Sequence, residues 1–317
     1  MKEYKLNTMR RVTIHVGLHK TATTFLQSSV FPYVENYTLV TRPYTQLNHA
    51  FNKLQYADDS LYSEDEFRSA INTIDSDSVI FSDESFSGKP TFFSYINRAI
   101  IAKRLASVFP DANIILFIRD QKDIMVSHYS SYVKMPYGTA KITDLYRKAS
   151  GTFEYDDYRK TPSGYDHNSI YYNTNDFHIN LDCFKYTPLI NLYTKYFENL
   201  HVFTYEDFKR DLDATVDRLS DIMQESIAVK STQRENKSLN GSMLVKKRIL
   251  NNILSPKSSK YLRKAMDTGL KIIPPFPADD LASIIEDHVG DYYEDDNKSL
   301  KQILPEINWS TFDSKYS

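Results

Sequence analysis

Short apolar runs of β type, each bounded by polar residues, recur along the chain at Arg11–Val16, Thr38–Val40, Ser78–Ser82, Asn113–Ile118 and His201–Thr204. Between several of them the apolar positions return at helical spacing instead. Tyr95–Phe109 sets Ile96, Ala99, Ile100, Lys103 and Leu105 on that spacing, and Pro110 closes it. Asp120–Val133 and Glu206–Met223 read the same way, the second through a stripe of Phe208, Leu212, Val216, Leu219 and Met223. Strands alternating with helices predict a three-layer α/β/α fold around a central parallel sheet. Residues 135–185 break the rhythm: they are rich in Tyr, Asp, Asn, Gly and Pro without a clear period, which predicts an ordered functional insertion rather than a linker. Beyond residue 240 helical patterns resume at Ser242–Leu254, Ser258–Leu270 and Asp279–Val289, interrupted by Pro274, Pro275 and Pro277. The chain contains no internal repeat and no low-complexity tract.

Composition narrows the class. A chain of 317 residues buries a substantial core. Its formal charge of −2 supplies no global field for nucleic acid, so any anion-binding surface must be local. The single cysteine, Cys183, excludes an intrachain disulfide framework and a multi-cysteine metal site. No stretch approaches the roughly 20 apolar residues of a membrane span. Met1–Arg11 is polar and basic but leads into an apolar run too short for a signal peptide, so a cytoplasmic protein is expected. Against one Trp and 8 Gly stand 24 Tyr and 18 Phe, many of them between residues 129 and 208.

The sharpest local signal is Val12-Thr-Ile-His-Val-Gly-Leu-His-Lys-Thr-Ala-Thr-Thr-Phe-Leu-Gln27. A strand ends at Val16, a loop turns at Gly17, and a helix is predicted to begin near Thr21. Unpaired N–H groups at a helix start carry the positive end of its dipole and suit an anion. Lys20 adds a point charge, and Thr21, Thr23 and Thr24 add hydroxyls. The segment lacks the second glycine and the Gly-Lys-Ser/Thr order of a Walker A loop. Taken alone, it reads equally as a capped helix beside an exposed lysine.

This strand–loop–helix resembles the 5'-phosphosulfate loop of the sulfotransferase superfamily, whose pattern is K-[ST]-G-[TS]-[TS] and whose bacterial carbohydrate-type members often read GLHKTGTT. Here Ala22 stands where Gly is usual. The resemblance implies a P-loop-like fold and a co-substrate, 3'-phosphoadenosine 5'-phosphosulfate (PAPS), held at its 5' end by His19, Lys20, Thr21, Ala22, Thr23 and Thr24. A second stretch, Asn113 to Tyr129, resembles the family's 3'-phosphate motif, in which an Arg ends a strand and a Ser follows eight residues later; Arg119 and Ser127 match. An Arg119 fork suits two phosphate oxygens. Leu200–Phe208 resembles the family's "YEDL" segment, which implies an adenine contact for Tyr205 and leaves Glu206 and Asp207 to cap the next helix or organise the loop. Gln233–Asn240 resembles a late R-x-N-x-S segment, implying that Arg234, Lys237 and Ser238 close over the nucleotide. The resemblance spans roughly residues 10–240. One domain over 1–317 is therefore expected, with a nucleotide-binding core over 10–240 that includes the insertion and a helical extension over 241–317.

Sulfuryl transfer needs a base for the acceptor, stabilisation of an SO3-like centre and neutralisation of the departing phosphate. No strand ends in the Asp of a magnesium site; Arg119 stands where one would sit. No metal is expected, and Lys20 is the natural electrostatic stabiliser. The general base is expected at Glu84, in Ser78-Val-Ile-Phe-Ser-Asp-Glu-Ser-Phe86, because related enzymes carry a His or Glu after the corresponding strand. Asp83 is the near rival, His128 a further candidate, His19 lies beside the loop, and His15 within a strand suits a core role. The insertion offers Tyr137, Tyr155, Tyr158, Tyr165, Tyr171, Tyr172, His167 and His178 among Arg147, Lys148, Arg159 and Lys160. Aromatic faces and cations suit a carbohydrate or other hydroxylated acceptor, or pack the insertion to itself. A P-loop nucleotide kinase and a noncatalytic nucleotide-binding protein are the competing classes.

Overall fold

A computed structural model of the chain describes residues 11–88, 97–148, 179–230, 241–254, 258–270, 272–277 and 280–309. Its strands are β1 (Arg11–His15), β2 (Thr38–Thr41), β3 (Ser78–Ser82), β4 (Asn113–Ile118), β5 (Tyr146–Arg147), β6 (Ile179–Asn180) and β7 (Leu200–Thr204). Its helices are α1 (Thr23–Phe25), α2 (Asn48–Tyr56), α3 (Glu64–Ile71), α4 (Arg98–Val108), α5 (Gln121–Lys134), α6 (Ile142–Leu145), α7 (Tyr186–Thr194), α8 (Tyr205–Arg210), α9 (Leu212–Met223), α10 (Gly241–Ile253), α11 (Lys260–Leu270), α12 (Leu281–Val289) and α13 (Glu294–Ile303). The described residues fall into two compact units, one drawn from Met1–Asp120, Tyr186–Glu235 and Glu294–Ser317, the other from Gln121–Lys185 and Asn236–Tyr293.

The first unit holds a five-stranded parallel sheet in the order β2-β3-β1-β4-β7. Its inner strands are largely buried, and β4 is apolar from Ile114 to Ile118, because both faces are covered. On one face Ile80, Ile115, Phe117 and Phe203 meet Leu26, Val30 and Phe31 beyond α1 and Leu219 and Met223 of α9. Phe117 and Phe203, paired across β4 and β7, stack at 4.9 Å. On the other face Phe81 meets Phe51 of α2 at 5.6 Å and Phe109 after α4 at 5.1 Å. The three layers follow directly from side-chain alternation along each strand. The chain leaves β1 toward β2 on one side and reaches β4 on the other, so the strand order reverses at β1. Ligands of such sheets bind outside the carboxyl ends at that reversal.

Helix boundaries differ from the sequence reading in one instructive place. Glu206–Met223 is not one helix: it breaks at Asp211, whose side chain accepts from Ala214 N and starts α9, while its own N–H donates to Asp207 O at 2.8 Å and ends α8. The predicted start near Thr21 moves to Thr23, with α1 continuing as π-helical Leu26–Val30.

In the second unit α5 packs against α10 and α12. Asn251 of α10 donates from its amide to the carbonyls of Val133 and Met135 at 2.9 Å and Gly138 at 3.1 Å, tying down the turn after α5. Gly138 is required there, because a Cβ would lie 2.1 Å from Tyr132 O.

Candidate active site

The loop after β1 is shaped by three residues with positive φ. Gly17 turns the chain at φ +52°, and a Cβ on it would stand 3.2 Å from Thr23 Oγ1 and 3.3 Å from Glu84 Cα. Glycine thus permits the turn and also the approach of the segment after β3. Lys20 and Ala22 follow at φ 73° and 68°. Left-handed residues leading into the right-handed turn of α1 direct successive N–H groups to one side, a concavity suited to anions. A glycine is usual at position 22 in the motif this loop resembles, and the conformation explains why: an L-residue in the left-handed region costs roughly 1–2 kcal/mol.

The hydroxyls divide their work. Thr21 is fully buried, donating to Leu18 O at 2.6 Å and accepting from Leu18 N at 3.3 Å, so its side chain clasps the loop. Thr23 is buried against the same carbonyl, at 3.5 Å. Thr24 is exposed. Of the three hydroxyls that the sequence offered to an oxyanion, Thr21's proton is committed to the loop.

Glu84 and Asp83 leave β3 in opposite senses. Asp83 is buried and caps the 3₁₀ turn Glu84–Ser87 by accepting from Ser85 N at 2.8 Å. Its other oxygen accepts from Arg42 Nε at 2.7 Å, from Gln55 Nε2 at 3.1 Å and from the Tyr44 hydroxyl. Arg42 also donates to Gln55 Oε1 at 2.9 Å and Ser85 Oγ at 2.8 Å. Such a satisfied network commits Asp83 to structure. Glu84 faces the loop: its Oε1 lies 3.5 Å from His19 Nε2, and its side chain keeps 40% of its surface open. Burial of its surroundings pushes this carboxyl up to about 7, Asp83 adds to the rise, and the charges of Lys20 and Arg42 oppose it. A carboxylate poised near neutrality beside this loop is suited to accept a proton.

Arg119 links β4 to the same loop. Its Nη1 donates to Lys20 O at 3.1 Å, and its guanidinium lies 4.4 Å from the centre of the Tyr205 ring. Of the two roles expected of Glu206, the structure shows the loop-organising one: Oε1 accepts from Asp120 N at 3.2 Å, securing the turn after β4, and burial raises its carboxyl to about 7. The cap of α8 is Thr204, which accepts from Asp207 N at 3.1 Å. His15 takes the core role expected of it: Nδ1 lies 2.8 Å from Ser82 Oγ, and full burial lowers its pKa to about 3.

Around Gly17 the fold therefore gathers His19, Lys20, Thr21, Ala22, Thr23, Thr24, Glu84, Arg119 and Tyr205. Ser127 and His128 lie on α5 in the second unit, Ser127 half-buried and His128 buried with Nδ1 3.1 Å from the Tyr146 hydroxyl. That hydroxyl donates to Met125 O at 2.9 Å, so its oxygen accepts from the imidazole; this is a packing arrangement for His128. Arg234, Lys237 and Ser238 lie outside the described residues, as do Tyr155, Tyr158, Arg159, Lys160, Tyr165, His167, Tyr171, Tyr172 and His178. Tyr137, Arg147 and Lys148 are described, Tyr137 half-buried and the two cations exposed. Sequence reasoning missed Arg42, Tyr44 and Gln55, which no motif connects to Asp83. Among the described residues no group of three or more His, Cys, Asp or Glu forms a metal-binding cluster.

The family model described as "Sulfotransferase domain" matches residues 13–271. No curated protein matches the chain. Similar solved structures include a sulfotransferase from Alicyclobacillus acidocaldarius, at 18% identity over 72% of this chain and 87% of the other, with a TM-score of 0.47. The sulfotransferase domain from the curacin biosynthetic pathway is similar at 14% identity, over 88% and 97% of the two chains, with a TM-score of 0.33.

Proposed function

The chain belongs to the sulfotransferase domain family, and from that premise we propose that it transfers a sulfuryl group from PAPS to a hydroxyl (or amine) of an acceptor, with Glu84 as general base and Lys20 as electrostatic stabiliser. The observation that carries this reading is the approach of Glu84 to the Gly17–Thr24 loop, 3.5 Å from His19 and within the field of Lys20, with its carboxyl raised to about 7.

In this reading the N–H groups after Ala22, with Thr24 and Lys20, hold the 5'-phosphosulfate. Arg119 holds the 3'-phosphate, and Tyr205, already stacked on Arg119, borders the adenine. The Glu84 carboxylate takes the acceptor's proton as its oxygen bonds to sulfur. The bond from sulfur to the bridging phosphate oxygen breaks, and Lys20 offsets the charge left on that oxygen. His19 fixes the orientation of the Glu84 carboxylate. The tyrosines and cations of the insertion support a carbohydrate or similar hydroxylated acceptor.

The test is transfer of labelled sulfate from PAPS across an acceptor panel led by sugars and phenols, read together with release of 3'-phosphoadenosine 5'-phosphate. Transfer that requires Lys20 is expected. Tight binding of the bisphosphate with no transfer to any acceptor would support a noncatalytic nucleotide-binding protein instead.

A further inference from the structure

Seven of the twelve exposed large apolar side chains among the described residues fall between residues 249 and 276, all in the second unit. Ile253, Tyr261 and Ile272 are 70%, 86% and 84% exposed. They are not scattered. Ser242 accepts from Phe276 N at 2.9 Å, and Lys246 Nζ donates to Leu270 O at 3.1 Å and Ile273 O at 2.6 Å. Ser242, Lys246, Ile249 and Ile253 recur at offsets of four, seven and eleven, which is one stripe of α10. Ile249 and Ile253 therefore prolong the line on which the Leu270–Phe276 segment lies. The opposite side of α10 is occupied by α11, through Lys247–Asp267 at 2.5 Å and Arg263–Asn251 at 3.3 Å. Tyr261 and Leu262 stand at the start of α11, where Arg263 donates to Leu254 O at 3.1 Å, and so lie next to the Ile253 end of the stripe.

The same stretch is strongly basic. Residues 241–277 hold eight Lys or Arg and one acid, Asp267. They carry +7 in a chain of −2, which leaves −9 on the remainder. The bonds of Lys246 to backbone carbonyls are to neutral oxygens and leave its charge in place. Exposed large apolar side chains grouped in this way mark an interaction site. An isologous contact with a second copy would set +7 against +7, which disfavours self-association through this face.

We propose that the surface of α10, α11 and the segment to Phe276 is a docking surface for an anionic phospholipid membrane: Ile249, Ile253, Tyr261, Leu262, Ile272 and Phe276 enter the headgroup boundary while the net positive charge of the stretch, with Lys264 exposed among these residues, attracts lipid phosphates. Docking of this kind is independent of the transfer chemistry.

The test is co-sedimentation of the full chain with vesicles of phosphatidylcholine alone and with phosphatidylserine added. At least about tenfold stronger partition onto the phosphatidylserine vesicles is expected, weakening as salt is raised. The pair Ile253→Glu and Ile272→Glu should lower it by at least about tenfold, and Lys264→Glu by about thirtyfold, with unfolding midpoints unchanged because all three sites are exposed. Equal partition onto both vesicles, no partition, or partition indifferent to these substitutions would overturn the proposal. So would a dimer in light scattering that the same isoleucine substitutions dissociate, which would assign the surface to a second copy.

Discussion

Replacing Glu84 by Gln keeps the shape of the side chain and removes its basicity. The wild-type carboxyl sits near 7 rather than the ordinary 4.5, so at pH 6 about one molecule in eleven carries the base and at pH 8 about ten in eleven do. The rate should therefore climb about tenfold per unit below 7 and level off above it. General-base assistance contributes about 10²–10⁴-fold, equivalent to about 2.7–5.4 kcal/mol of barrier. Glu84→Gln should lower turnover by that factor at pH 8 and flatten the climb, while affinity for 3'-phosphoadenosine 5'-phosphate changes little. Stability should run the other way. The fold binds this proton more tightly than the unfolded chain between about 4.5 and 7, so the contribution of Glu84 to stability falls as pH rises across that window. The assay is initial-rate release of the bisphosphate product from about pH 5 to 9. A climb centred near 7 that persists in Glu84→Gln, or a loss of less than about tenfold at pH 8, would refute the assignment of the base.

Three further outcomes are expected. Arg119→Ala should weaken 3'-phosphoadenosine 5'-phosphate binding at least tenfold by calorimetry and barely affect adenosine 5'-phosphate, since a charge-assisted contact contributes about 1.5–3 kcal/mol; equal losses for both would remove Arg119 from the 3' end. Ala22→Gly should stabilise the chain by about 0.5–1 kcal/mol in denaturant unfolding, because relief of the left-handed strain exceeds the entropy added to the unfolded state. Asp83→Ala should cost about 3 kcal/mol in the same measurement, the low end for breaking a buried ion pair, because Arg42 retains 42% of its side-chain surface in water.

All five strands of the main sheet were legible as apolar runs because parallel strands covered on both faces are rich in apolar residues. β3 and β4 fall on the expected residues, Ser78–Ser82 and Asn113–Ile118, and β1, β2 and β7 within one residue of theirs. The strand–loop–helix through Gly17–Thr24 was legible too, since its local geometry is written in consecutive residues. Asp211 was not read as a break, because the stripe from Phe208 to Met223 continues through it and only its cap to Ala214 N reveals two helices. The side chains flanking the loop needed distant partners. Nothing in Ser-Asp-Glu-Ser says which carboxylate turns inward. Arg42, Tyr44 and Gln55, some 28 to 41 residues upstream of Asp83, claim it and leave Glu84 beside His19. Local spacing encodes elements and loops whose hydrogen bonds close within a few residues. The pKa of Glu84 and the backbone duty of Glu206 arise from burial and charge brought together by strand order, and those quantities exist only once the sheet has formed.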